Sequence, residues 1–138
     1  MKNNLICCSA KRILYLSDTY AGSVHDKTIL DQEAFCFPSG ITLYQDSGFQ
    51  GHNPLTATIM QAAKKPKGKE LNIEQKQANQ AISKIRVQIE HAIGKVKILR
   101  IVKDRVRCWK SNIKDFLMEI CCAIHNFKLT CTMLKHCA

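Results

Sequence analysis

Two carboxylates in this 138-residue chain, Asp46 and Glu90, are the first candidates for chemistry, each with a plainer structural role beside it. Asp46 follows the apolar run Ile41-Thr42-Leu43-Tyr44 and lies in the turn-forming stretch Gln45-Asp46-Ser47-Gly48. A strand ending there displays the carboxylate at the rim of a sheet. Gly48 and Gly51 beside it permit a tight turn and close approach by a ligand's backbone. The competing reading is an Asx-turn, in which Asp46 only caps its own turn. Glu90 lies in Ile85-Arg86-Val87-Gln88-Ile89-Glu90-His91-Ala92-Ile93-Gly94, with Arg86 one helical turn before it and Lys97 two turns after. It is either a metal ligand on a rigid helix, with basic neighbours for a phosphate backbone, or a surface ion pair worth little. His25 and Asp26, after Gly22-Ser23-Val24, are the residue types a helix start needs and are read as structural. Asp18, beside the end of a strand, is a further acid.

Charge points the same way as the acids. The net charge is +10, but residues 1–62 carry four basic and five acidic side chains, whereas residues 63–138 carry 17 and six. The second half therefore calls for an acidic partner, with nucleic acid first among them, or else is a solvated basic face. The loop Lys64-Lys65-Pro66-Lys67-Gly68-Lys69 concentrates that charge. Lys64, Lys65, Lys67, Lys69, Arg86, Lys97 and Arg100 are the expected phosphate contacts.

The eight cysteines include two adjacent pairs, Cys7-Cys8 and Cys121-Cys122, and no C-x-x-C spacing. Neither a disulfide framework nor a zinc ribbon is indicated, and the thiols are read as reduced, small buried hydrophobes. No apolar run approaches the roughly 20 residues of a membrane-spanning helix. The N-terminus lacks the length of a secretory signal. A cytoplasmic, nucleoid-associated protein without membrane contact is expected.

The elements that must position these residues follow from pattern. Leu5–Cys8 and Arg12–Ser17 are two β-prone runs about a Ser9-Ala10-Lys11 turn. Ser23 or Asp26 caps a helix running through Ile29, Leu30 and Phe35, which Phe37-Pro38-Ser39-Gly40 ends. Ile41–Tyr44 is a buried strand, and a further strand lies near Thr58–Gln61. From about Leu71 a long helix buries Ala78, Ile82, Ile85, Ile89, Ile93 and Val96, with Gly94 marking a bend or a close contact. Ser111 or Asn112 opens a last helix that buries Phe116, Leu117, Ile120, Cys121, Ile124, Phe127 and Leu134. Length allows one domain, residues 1–138, of mixed α/β class.

Three segments in order carry a resemblance: Leu14 to Asp26, Leu43 to Gly51, and Arg86 to Gly94 followed by Lys97. They resemble the DDE superfamily endonuclease domain of insertion-sequence transposases, and the eukaryotic Harbinger-type nucleases look similar. The likeness extends through Cys121-Cys122-Ala123-Ile124-His125-Asn126-Phe127. It implies an RNase H-like fold, a mixed sheet with flanking helices, whose three acids hold two divalent metals, Mg²⁺ or Mn²⁺. Asp46 then corresponds to the second acid and Glu90 to the third, close enough on one rim to share a metal. Two such ions clamp the attacking and leaving oxygens of a phosphodiester, first in strand cleavage and then in strand transfer.

No residue corresponds to the strand that bears the family's first acid, nor to N-terminal DNA-recognition helices. The resemblance thus implies an incomplete fold with its first strand missing. The chain is expected to be a transposase fragment, inactive alone, with Asp18 or Asp26 the only nearby substitutes for the missing acid. Its expected partners are DNA and either an upstream transposase fragment or further copies of itself. The alternatives are a non-catalytic basic DNA-binding module and a decayed gene product.

Overall fold

The computed structural model describes residues 2–65, 68, 70–102, 110 and 112–136. Strands β1 (Leu5–Cys7) and β2 (Ile13–Leu16) come first, then helix α1 (Asp26–Gln32). Strands β3 (Ile41–Gln45) and β4 (Ala57–Gln61) precede the long helices α2 (Ile73–Lys97) and α3 (Ile113–His136). Single 3-10 turns occupy Ser47–Phe49 and Arg100–Val102. The class is mixed α/β, with two two-stranded sheets and three α-helices among the described residues. Two compact units are formed, Met1–Gly22 with Gln88–Ala138, and Ser23–Val87.

In the first unit β1 and β2 pair antiparallel, with a bulge where Ile6 faces Tyr15 and Cys7 faces Ile13. The expected Ser9-Ala10-Lys11 turn joins them. Lys11 takes the left-handed conformation (φ 64°) that closes such a three-residue hairpin loop, and its N–H donates to Cys8 O at 2.9 Å. The core is Ile13, Val96, Cys121 and Cys122, surrounded by Cys7, Leu16, Leu99, Val102 and Met118. This bears out small, buried thiols at Cys121 and Cys122. All six described cysteines are free, although Cys36 is exposed. Cys108 and Cys137 lie outside the described residues.

The α3 stripe is not the one hydrophobicity selects. Cys121 is buried, but Phe116, Ile120, Ile124, Phe127 and Leu134 are exposed, Phe127 by 69%. The inward face instead carries Cys121, Cys122 and His125, with Asn126 half-buried. The reason is hydrogen bonding. Asn126 Oδ1 accepts from Ile13 N at 2.9 Å and its Nδ2 donates to Ile13 O at 2.8 Å. His125 Nε2 lies 2.8 Å from Lys11 O. A purely apolar face would leave those peptide groups without partners, at a cost of about 1–3 kcal/mol each. At the start of α3, Asp115 Oδ1 accepts from Thr19 N at 2.6 Å. Asn112 supplies the turn before it with φ 61°, while Ser111 lies outside the described residues.

The second unit holds α1, the β3–β4 pair and the first part of α2. β3 and β4 run parallel in continuous register from Ile41 beside Ala57 to Gln45 beside Gln61. Helix α1 is shorter than its pattern suggests. His25, not Ser23 or Asp26, stands at its N-cap and makes no side-chain cap bond, and Asp26 is already helical. Ala34 turns left-handed (φ 45°) and leaves Phe35 outside the helix, edge-on to the buried Phe37 with ring centroids 4.9 Å apart.

Asn72 starts α2. Its Oδ1 accepts from Ile73 N at 2.6 Å, while Gln75 Oε1 accepts from Asn72 N at 3.1 Å, a reciprocal cap. Of the expected stripe Ile82 and Val96 are buried, Ile85, Ile89 and Ile93 are half-buried, and Ala78 is exposed; Ala92 is fully buried instead. Gly94 does not mark a close contact, since a Cβ there would meet nothing within 4 Å, and α2 continues past it to Lys97. Asn79 binds Ala63 through both amide atoms, at 2.9 Å and 3.0 Å. No helix among the described residues is long and apolar enough to cross a membrane.

Candidate functional site

Parallel strands bring their carboxyl ends to the same side, and in open α/β sheets that side is where ligands bind. Asp46 leaves β3 at that end. Its Oδ1 accepts from Ser47 N at 2.6 Å, so it caps the Ser47–Phe49 turn. Gln61, last in β4, donates from Nε2 to Asp46 O at 2.7 Å. The Asx-type role is therefore present, and it leaves Oδ2 outward. That oxygen lies 3.4 Å from Arg86 Nη2. A residue on α2, forty positions away in sequence, thus faces the acid at the strand end.

Gly48 is approached by protein. The Asp26 Oδ2 oxygen lies 2.5 Å from where a Cβ on Gly48 would stand, so the side chain that needs a glycine there is Asp26. The backbone of Gly51 is left-handed (φ 86°), with Lys27 Cε 3.5 Å from a Cβ position. Asp26 shares the second unit with Asp46, whereas Asp18 is exposed in the first.

Gln45 belongs to β3 rather than to the turn. It is buried, donates from Nε2 to His52 Nδ1 at 2.9 Å, and has its Oε1 without a hydrogen-bond partner. Burial pushes the His52 imidazole below its ordinary range; Lys27 adds to this and Asp31 opposes it. The sequence pattern groups Gln45 with the Asp46 turn and does not connect Gln61 with it. Only the parallel register, which sets Gln61 beside Gln45, reveals that link.

Glu90 is exposed on α2, in the portion belonging to the first unit. Lys97 and Arg100 are exposed in that unit. Lys64 and Lys65 are exposed after β4, and Lys64 Nζ donates to Gln50 Oε1 in the loop that follows Asp46. Lys67 and Lys69 lie outside the described residues. Among the described residues no three His, Cys, Asp or Glu side chains group as a ready cation site.

Comparison with known proteins gives these observations a family. An 86-residue segment, 62% of this chain, is 30% identical to the probable transposase for insertion sequence element IS702 of Microchaete diplosiphon. That segment corresponds to 31% of the relative, so the match spans about a third of its length. No solved structure matches. Residues 1–126 match the family described as DDE superfamily endonuclease, nearly the whole of the chain. The chain belongs to the DDE superfamily of endonucleases.

Proposed function

We propose that this chain is a portion of a DDE transposase, built on an RNase H-like fold, serving metal-dependent cleavage and strand transfer of DNA. The supporting observation is the placement of Asp46: a half-exposed carboxylate at the carboxyl ends of two parallel strands, held by Ser47 N–H and facing Arg86. A hard oxygen donor held in this way suits one ligand position of Mg²⁺ or Mn²⁺. Asp46 and Glu90 are the proposed ligands. When bound, such an ion would stabilise charge on the phosphodiester oxygens. Asp46 contributes a pre-oriented anion, and Lys64, Lys65, Lys67, Lys69, Arg86, Lys97 and Arg100 supply positive charge for the DNA backbone, in the cytoplasm at the nucleoid.

The isolated chain is inactive in this reading, because two carboxylates are too few to hold two such ions. Its work then requires an upstream transposase segment or further copies of itself. A plasmid-nicking assay with Mg²⁺ and with Mn²⁺ tests this. The expected result is DNA binding without nicking, and Mn²⁺ uptake that weakens in Asp46→Asn and in Glu90→Gln. Robust nicking by the chain alone, abolished by Asp46→Ala or Glu90→Ala, overturns inactivity. Mn²⁺ uptake indifferent to both substitutions overturns the ligand assignment.

A further inference from the structure

Helix α3 carries two apolar faces, and the β1–β2 hairpin and Val96 use only one of them. That face holds Cys121, Cys122 and His125, all buried. Along another side Ile113, Leu117, Ile120, Ile124, Phe127, Cys131 and Leu134 follow one another at alternating spacings of four and three residues. This is a heptad seam, apolar at every a and d position through three repeats. A strict seven-residue period is matched by a second helix winding along the first, not by a strand, a loop or a small molecule. Phe127 is 69% exposed and Leu134 65%; Ile120 and Ile124 are exposed too, and Phe116 flanks the seam in the open. Together these side chains present on the order of 600 Å² of apolar surface, at the upper end of what a monomer carries.

The described helices offer one seam of this kind. Of its large apolar side chains α2 exposes only Ile73 and Val87, and α1 exposes none. We infer that the seam is covered by α3 of a second copy of this chain, in a two-fold symmetric pair. Such a pair needs a single self-complementary patch. No charged residue and no Asn stands at a seam position, so none would oppose its own symmetry mate. Lys114, Lys128 and Lys135 flank the seam, exposed, with stems long enough to cover its edge while the ammonium groups stay in water. Two copies of the patch cover roughly 1,200 Å², which reaches the range of stable interfaces at its lower end. Hydrophobic pattern marks Phe116, Ile120, Ile124, Phe127 and Leu134 as core, and in the pair they are core, shared between two copies. The inference uses neither the proposed cation site nor DNA binding and stands apart from both.

The experiment is sedimentation equilibrium of the 138-residue chain without DNA, in reducing buffer with EDTA. At roughly 100 μM the mass should approach twice 15.6 kDa, and it should fall toward one copy on dilution. Phe127→Lys and Leu134→Lys should each raise the dimer dissociation constant at least about ten-fold, because each removes a large apolar contact from the seam. Met133→Lys is the matched comparison. Met133 adjoins Leu134 and is 58% exposed, but it lies one position off the seam. The same added charge there should change the dissociation constant by no more than about two-fold. Circular dichroism checks that each variant keeps its helices, and Phe127→Ala, a change that favours the helix, should weaken the pair in the same direction if Phe127→Lys does not fold. A chain that stays monomeric at roughly 100 μM overturns the pair and leaves the seam to another occupant, such as an upstream transposase segment. A dimer indifferent to Phe127→Lys and Leu134→Lys, or one that Met133→Lys weakens equally, overturns the seam as its interface.

Discussion

The carboxylate of Asp26 occupies the space that a side chain on Gly48 would need, its Oδ2 2.5 Å from the Cβ position. Gly48→Ala should therefore push Asp26 aside and disturb the turn that Asp46 caps, lowering stability by about 1–3 kcal/mol. In an Asp26→Ala background the added methyl has room. The penalty of Gly48→Ala should then shrink, a coupling that a double-mutant cycle in urea reads directly. Equal penalties in both backgrounds would refute the steric account.

His52 makes stability depend on pH. Its folded pKa lies below the ordinary histidine value, chiefly through burial, so the unfolded chain takes up a proton more readily than the folded one. Stability from this group is thus complete above the unfolded pKa of about 6.5 and declines as pH falls toward the lower folded value. Protonation also forbids Nδ1 from accepting the Gln45 amide hydrogen bond. Urea midpoints measured between about pH 7.5 and 5 should fall on acidification, and less steeply in His52→Gln.

Thiol reactivity should follow burial. Burial raises the Cys7 and Cys121 thiols, and it pushes Cys122 up to about 11, with neighbouring Cys121, Cys7 and Glu119 adding to the shift. These groups are almost wholly protonated at neutral pH and inert as nucleophiles. Iodoacetamide on the folded chain should modify exposed Cys36 well before Cys121 and Cys122, and peptide mapping after denaturation should show the difference collapse. Early labelling of Cys122 would contradict its place in the core.

The basic half should bind DNA with little sequence preference and a steep dependence on salt, because counterion release drives such binding. If about six phosphates are neutralised, affinity should drop at least 10³-fold between roughly 50 and 200 mM salt. Each Lys→Gln change at Lys64, Lys65 or Lys97 should lessen the salt slope by about one. Affinity indifferent to salt would remove these side chains from the interface.

How legible all this was in the sequence depended on what each residue answers to. β1, β2, β3, β4, α2 and α3 follow from local pattern, and each is found within a few residues of its expected bounds. The face of α3 does not follow. Phe116 and Phe127 make the stronger apolar signal, yet His125 and Asn126 turn inward because Lys11 O and Ile13 O need donors and Ile13 N needs an acceptor. Asp46 could be singled out because it ends an apolar run before a turn. Its partners Arg86 and Gln61 could not, since they are forty and fifteen positions away and depend on how β3, β4 and α2 assemble. Likewise Ala34 ends α1 by a left-handed backbone that nothing in its residue type announces.

Asn126 also gives β2 a kind of counterfeit neighbour. Among the described residues β2 hydrogen-bonds to β1 alone in its sheet, and a strand with one neighbour offers peptide groups on which another molecule can template. A side-chain amide carries the donor and acceptor of a peptide bond, and Asn126 presents both to Ile13 as an adjoining strand would. Asn79 does the same for Ala63, just past the end of β4. At these two places the chain answers its own backbone before another copy can, which discourages polymerisation by strand addition.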